Sequence, residues 1–526
     1  MAFALLALFC GSGARVAAQT AEPAAWGQWA QWGEMAGEKY ANPVLPADFS
    51  DIDCIKVGKK YYAISSTFQF SPGMIILESR DLVNWRVAGH AVSDITQISP
   101  ELSWRRMNRY GRGIWAGTIR HHNGRFYVIF GTPEEGYFVT SAKKIGGPWA
   151  PVQCILPESG WDDCTATWDA DGQAYIAGTH FADGYRTYVW RAAQDLSSID
   201  RESGVLVNEG SGREASKLLW HNGFCYLVYS EHQGWEGRYV MARRAKHPQG
   251  PYGEAKRLTR NLPQTNEPNQ GGLVEGPDGQ WYFLTHHGTG DWEGRAMSLL
   301  PVDWSGDWPV IGKADNEGLG TMVWQAPMPG KSTRWRLEQS DEFNKKRLNP
   351  ALEWNYQPRE DKISLAKGRL RLFATTPLER GNLLKTNNIL TGRVVRTARC
   401  QVVTKVDVSH LHDGGAAGLC HFSEQYSWLG VVQKAGQRYI CYNENGRLLD
   451  ETPLPAATTI WLRSEWGLDG LSRYAYSTDG IHFQDFGKPY QLRWGYYRGD
   501  RYGIFCANEQ GENGWADFDF LRCNVE

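Results

Sequence analysis

The sequence lacks a surplus of charge of either sign. Its 56 Lys and Arg face 58 Asp and Glu, a formal net charge of −2. No basic field steers it towards nucleic acid or an anionic membrane. Beyond the N-terminal stretch no apolar run is long enough to span a bilayer. Helical periodicity is weak through the first half of the chain. Cysteine is modest: the spacings of the ten residues fit no zinc motif. Cys10 lies within a leader-like segment, and the nine others cannot all pair. Cys54, Cys225 and Cys441 fall inside apolar, strand-like runs, so they read as small buried hydrophobes rather than a disulfide framework.

What the sequence does hold is aromatic residues and glycine: Trp 24, Tyr 24, Phe 19 and Gly 58 in 526 residues. That mixture suits short strands and tight turns, and aromatic faces also stack on sugars. The length suggests two to four domains. The start, "MAFALLALFCGSGARVAAQTAEPAAWG", reads as a signal peptide over residues 1–18. It has an apolar stretch from Ala2 to Phe9 and a small-residue site at Val16-Ala17-Ala18. Export to the periplasm or the medium is expected, with no membrane attachment once the signal is removed. Residues 19–40 form an N-terminal segment.

One phrase recurs five times: a turn glycine, one or two polar residues, then aromatic and β-branched residues. It appears as "KVGKKYYAISSTF", "HHNGRFYVIFGT", "DADGQAYIAGTH", "WHNGFCYLVYSEH" and "GPDGQWYFLTHH". The glycines are 58, 124, 172, 223 and 279, so the steps are 66, 48, 51 and 56 residues. Asn-Gly and Asp-Gly are hairpin signals, and a β-hairpin period near 50 predicts a propeller with one blade per repeat. The expected fold is all-β: a five-bladed β-propeller over 41–325, a linker at 326–335, and a jelly-roll-like β-sandwich over 336–526. The linker is short and carries Trp335, so the sandwich is expected to rest against the propeller.

Nine residues before these glycines stand Trp115, Asp163, Glu214 and Gln270; seven before Gly58 stands Asp51. The strand feeding each hairpin should be the inner strand of its blade. A propeller gathers equivalent positions around its axis, so Asp51, Asp163 and Glu214 are expected to converge on a central pocket. Asp53 and Asp162 neighbour the acids; Asp162, adjacent to Asp163, faces the other side of its strand, and both read as turn or support residues. Phe68 and Trp115 are either blade core or pocket wall. His286 and His287 read as hydrogen-bonded structure more readily than as substrate ligands. Paired carboxyl groups are the minimal equipment for cleaving a glycosidic bond, and a third acid can raise the pKa of the proton donor.

At these residues the chain resembles glycoside hydrolase family 43. "NPVLPADFSDIDCIKVGKKYYAISSTF" is similar to the family's opening motif, which implies a general base at Asp51. "GWDDCTATWDADGQAYI" resembles the segment with the pKa-modulating aspartate, here Asp163. "REASKLLWHNGFCYLVYS" resembles the segment with the general-acid glutamate, here Glu214. "GRAMSLLPVDW" implies a substrate-contacting arginine at Arg295, and the resemblance favours Phe68 and Trp115 as pocket walls. The distal half resembles the sandwich appended to xylosidase and arabinofuranosidase members. The chain departs from the pattern at Ile52, Gly117, Ala215 and Ser216. Asn269 stands where many members carry a histidine. Asparagine is a poorer metal ligand, so a structural calcium is disfavoured, and no cofactor is required. The resemblance implies an exported, inverting exo-glycosidase that releases terminal xylose or arabinofuranose from hemicellulose or pectin-derived oligosaccharides. A non-catalytic glycan-binding propeller, a scaffold propeller and an endo-arabinanase are the alternatives.

Overall fold

The computed structural model describes residues 32–36, 38–232, 238–259, 268–287, 291–312, 323–330, 333, 335–454 and 457–526, without the side chains of residues 232, 238, 268, 269 and 287. The leader therefore lies outside the described residues, as do parts of the N-terminal segment and the linker. Five four-stranded antiparallel sheets follow one another along the chain, over 53–92, 117–156, 161–208, 214–257 and 268–311. Within each, the strands neighbour one another in chain order. The first strands of the five sheets, Asp53–Val57, Gly117–His122, Trp161–Trp168, Glu214–His221 and Pro268–Glu275, touch in succession and close a ring around an axis. These are the blades of a five-bladed propeller.

The hairpin glycines sit where the repeat places them, but two loop types occur. Asn123-Gly124 and Asn222-Gly223 are two-residue turns, both residues left-handed (φ 49° and 74°; 48° and 71°). This is the geometry that Asn-Gly favours. The Asp-Gly repeats open five-residue loops instead. In the third blade Asp169 Oδ1 accepts the amides of Asp171 and Gln173, so the side chain builds its own turn.

The ring is closed by the segment that precedes the first blade. Leu45 and Met297 exchange backbone bonds of 3.2 and 3.0 Å. The Asn42 side chain reads both the amide and the carbonyl of Leu299, at 2.9 and 2.8 Å. The fifth inner strand presses against the first so closely that a Cβ on Gly272 would lie 2.5 Å from the Cys54 nitrogen. Cys54, Cys225 and Cys441 are buried thiols.

The distal half is a two-sheet sandwich. Its strands alternate as a half-buried sheet should: Cys400–Asp407 and Thr459–Trp466 bury every second residue. One sheet runs on into the propeller. Its edge strand Glu353–Asn355 pairs with Phe70–Ser71 of the first blade, Trp354 opposite Ser71 and Asn355 opposite Phe70. The main hydrophobic core is likewise continuous, from Ile75, Leu284 and Trp292 of the propeller to Val402 and Trp466 of the sandwich. At this seam Glu353 is fully buried and bonds Arg393, Arg501 and His90 at 3.1, 2.9 and 3.0 Å. Burial opposes its charge, but the two arginines outweigh it and hold its carboxyl well below the usual range. Arg393 Nε also donates to the Asp48 carbonyl at 2.8 Å, close to the propeller mouth.

Candidate active site

The inner strands of the third, fourth and fifth blades share an irregularity at their starts. Register shifts fall between Asp162 and Thr165, between Glu214 and Lys217, and between Pro268 and Gly271. Such bulges re-aim side chains at a barrel or propeller rim. Asp163 and Ala215 sit in them with φ of 51° and 64°, and Asp51 precedes the first inner strand with φ 58°. Left-handed backbone at non-glycine residues is uncommon and concentrates at functional sites. The sequence positions Asp51, Asp163 and Glu214 thus all stand at the start of an inner strand, at one end of the axis.

Asp51 is nearly buried. Ser66 Oγ donates to its Oδ2 at 2.6 Å and Arg295 Nη1 to its Oδ1 at 2.8 Å. His286 Nε2 lies 3.6 Å from the same Oδ1 and is fully buried. Asp163 receives the Ala215 amide on Oδ2 and Gln270 Nε2 on Oδ1, both at 2.8 Å. The Ala215 bond joins it to the residue beside Glu214. Burial raises the Asp163 carboxyl and Glu214's charge raises it further; Lys217 and the Ala215 amide pull the other way, and the balance is about 7. Like-charged carboxyls held together resist full ionisation, which is the arrangement a proton donor needs.

Asp53 and Asp162 do not join this set in the same way. Asp53 Oδ2 accepts Thr118 Oγ1, the Ile119 amide and Arg120, at 2.6, 3.0 and 2.7 Å. Burial opposes its charge, but Arg120, Lys217 and these donors outweigh it, and its carboxyl lies below its ordinary value. It ties the first blade to the second. Burial first, then the charge of Asp163, push the Asp162 carboxyl well above its ordinary value.

Arg295 reaches Asp51 from the fifth blade, and its guanidinium lies 5.8 Å from the Trp494 ring and 5.7 Å from the Tyr497 ring. Tyr497 also meets Trp115 edge-on at 6.0 Å, and Trp115 leans on Phe181 at 6.1 Å. Trp494 and Tyr497 belong to a sandwich loop, so the distal domain supplies part of the rim. Trp115 is half-buried, with Nε1 donating to the Gly111 carbonyl. Phe68 is buried, and its backbone pairs with that of Ile114.

Sequence reasoning assigned no role to Ser66, Gln270, Lys217, Trp494 or Tyr497. Gln270 stood at the repeat phase of the acids, and Lys217 is a cation inside an apolar inner strand; both were visible signals. Among the described residues no three His, Cys, Asp or Glu are grouped to hold a metal ion. The Asn269 side chain lies outside them.

A ring of blades with carboxyl groups gathered at one end of its axis, two of them coupled by charge, defines a glycoside hydrolase of the propeller class. The family model of glycosyl hydrolases family 43 matches residues 40–309, and that of the beta xylosidase C-terminal concanavalin A-like domain matches 340–524. A beta-xylosidase of Formosa agariphila is 30% identical, over 95% of this chain and 92% of its own length. A non-reducing end alpha-L-arabinofuranosidase of Bacteroides ovatus is 27% identical, over 65% of this chain and 66% of its own. Among solved structures, a bifunctional GH43-CE protein of Bacteroides eggerthii superimposes with a TM-score of 0.83 at 27% identity, covering 94% of this chain and 64% of that one. The chain belongs to glycoside hydrolase family 43, in its β-xylosidase and arabinofuranosidase branch.

Proposed function

We propose that the protein is an exported, inverting exo-glycosidase that removes terminal xylose or arabinofuranose from short hemicellulose- or pectin-derived chains. The observation that carries the reading is the division of the acids: Asp51 is ion-paired with Arg295, while Asp163 and Glu214 form a like-charged pair. In the proposed step Asp51 removes a proton from water as its oxygen attacks the anomeric carbon. The glycosidic C–O bond breaks and Glu214 gives its proton to the departing oxygen. Asp163 accepts the amide beside Glu214 and the Gln270 side chain, which fixes it next to the proposed proton donor. Arg295 orients Asp51 and meets the sugar. The protons then return through solvent. No redox or group-carrying cofactor has a part in this chemistry.

Exo action is supported by the rim: Trp494 and Tyr497 stand beside Arg295 and Trp115 and narrow one side of the mouth. The names of the relatives support both terminal xylose and terminal arabinofuranose. The leader-like sequence of residues 1–18 supports secretion or a periplasmic location. A panel of nitrophenyl glycosides tests the reading. Turnover of the β-D-xyloside or α-L-arabinofuranoside is expected, with inverted product in early proton NMR spectra. Binding without turnover, or retained configuration, would overturn it.

A further inference from the structure

Nine cysteines follow the leader-like segment, and the surroundings of their thiols differ. A buried cysteine with no sulfur beside it is a small hydrophobe. Cys164, Cys225 and Cys420 fit that description: their sulfurs turn to the Ala116 carbonyl, the Tyr252 hydroxyl and the Gly503 carbonyl. Cys400 does not. Its Sγ lies 3.9 Å from Cys523 Sγ, across 123 positions of sequence. The strands Cys400–Asp407 and Trp515–Val525 run antiparallel side by side, with Val402 opposite Cys523 and Cys400 opposite Val525. Cys523 is two places from Val525, so both thiols lie on one face of the sheet, as diagonal neighbours. Cys400 is fully buried in the core, and Cys523 packs against that core from a half-buried position.

We propose that Cys400 and Cys523 form a disulfide that staples these two strands of the sandwich together. The bond needs sulfurs about 2.05 Å apart, so they must close by roughly 2 Å. Diagonal partners stand near the outer limit of what a bridge spans, so one strand has to give. The strand of Cys523 is placed to do so. On the side away from Cys400, its amide and carbonyl meet the Ser340 hydroxyl at 3.1 and 3.3 Å rather than the backbone of a further strand. Residues 524–526, which follow it, are exposed. A bridge that closes a long loop takes the most freedom from the unfolded chain. It also lies in the sheet whose Val402 and Trp466 continue the propeller's core. The electrons leave by thiol–disulfide exchange. The oxidant is another disulfide, of a small thiol or of an oxidoreductase. The Cys523 thiolate, the more accessible of the two, attacks one of its sulfurs and expels a first thiolate. The Cys400 thiolate then attacks the Cys523 sulfur and expels the second. The enzyme's two thiols lose two protons and two electrons, and the oxidant becomes two thiols. Such oxidants persist outside the cytoplasm, so the inference takes from the proposed export only the place where the reaction happens.

The test uses the purified full chain carrying Cys154→Ser, because Cys154 is exposed and free to pair between molecules. One sample is treated with oxidised glutathione and one with dithiothreitol. Both are alkylated under denaturing conditions and digested with trypsin without reduction. Cleavage after Arg399 and Arg522 frees Cys400 in the peptide CQVVTK and Cys523 in the peptide CNVE. Mass spectrometry of the oxidised sample should find the two peptides joined; the reduced sample should give each one alkylated. The oxidised chain should melt several degrees above the reduced chain, and Cys523→Ser should melt alike in both conditions. Should Cys523→Ser fail to fold, Cys400→Ala reads the same way. Both cysteines alkylated after oxidation, or Cys523 carrying glutathione with Cys400 alkylated, would overturn the pairing. A joined peptide with no gain in melting temperature would overturn the staple. Because the oxidant is supplied, none of these outcomes depends on export or on the sugar released.

Discussion

Arg295 Nη1 lies 2.8 Å from Asp51 Oδ1, and the two residues come from opposite ends of the propeller sequence, 244 positions apart. The contact exists because the segment before the first blade runs along the fifth, where the Phe49 amide bonds the Arg295 carbonyl at 3.1 Å. Ring closure therefore builds the ion pair. Arg295→Ala should lower kcat/KM by about two orders of magnitude or more, as loss of an oriented charge does. Steady-state kinetics check this; a kcat/KM close to that of the unaltered enzyme would mean that the ion pair has no part in positioning Asp51.

Asp163 offers a stability test. Its carboxyl is raised to about 7 from an ordinary 3.8, by burial and then by Glu214. The folded chain thus holds a proton there that the unfolded chain releases, and stability falls as pH rises between these values. Asp163→Asn removes the titrating group. Its melting temperature should gain on the unaltered enzyme from about pH 4 to about pH 7 and keep a constant gap above that. Thermal melts at several pH values check this; a parallel pair of curves would contradict the buried-proton account.

Much of this was legible in the sequence, for physical reasons. Turn chemistry marked the hairpins, hairpins marked the blades, and a propeller's symmetry brings one repeat phase to one place. That reasoning reached Asp163, Glu214 and, without a role, Gln270. It could not reach the bulges. Asp163 and Ala215 take left-handed backbone without being glycine, so no residue type announces the turn. Nor could it reach Phe70–Ser71, a strand too short for periodicity, or Tyr497, which meets Trp115 across nearly four hundred residues of chain. The loop lengths differed because Asp169 supplies its own turn through its side chain.

The acids should separate by leaving group. A good leaving group needs little protonation. Glu214→Ala should lose several orders of magnitude on a natural oligosaccharide and far less on a dinitrophenyl glycoside. Asp51→Ala should be crippled on both, since water needs a base either way. Azide should give no product of retained configuration with Glu214→Ala. Activated-substrate turnover surviving in Asp51→Ala would mean the roles are misassigned.

The seam between domains should be structural. Glu353→Gln removes the carboxylate charge that buried Arg393 and Arg501 share, a loss of about 3–5 kcal/mol when a buried pair is broken. Because the Glu353 carboxyl is held below its ordinary value, its contribution is present above the unfolded-state pKa and lost as pH falls through the lower folded value. The unaltered enzyme should therefore shed part of its advantage over Glu353→Gln only in strong acid. A fragment ending at Gly330 should be insoluble or unstable, since it exposes the Phe70–Ser71 edge and half of a shared core. A soluble, fully active fragment would show the sandwich to be dispensable.

The rim contributed by the sandwich leads to a prediction about chain length. Tyr497 is 55% exposed, so its ring contributes little to the core. It touches Trp115 and stands beside Arg295, where its loss would open the mouth without disturbing Asp51. Tyr497→Ala should melt close to the unaltered enzyme. Its kcat/KM on short substrates should fall roughly threefold to tenfold, in line with an aromatic contact of about 0.5–1.5 kcal/mol. Its pH limbs should stay in place, because no charge has changed. The ratio of kcat/KM for five-sugar to two-sugar substrates should rise, since a wider mouth admits the longer chain. Product chromatography reads that ratio directly. An unchanged ratio with an unchanged melting point would place the chain-length limit on the propeller, at Trp115 and Phe181, rather than on the sandwich loop.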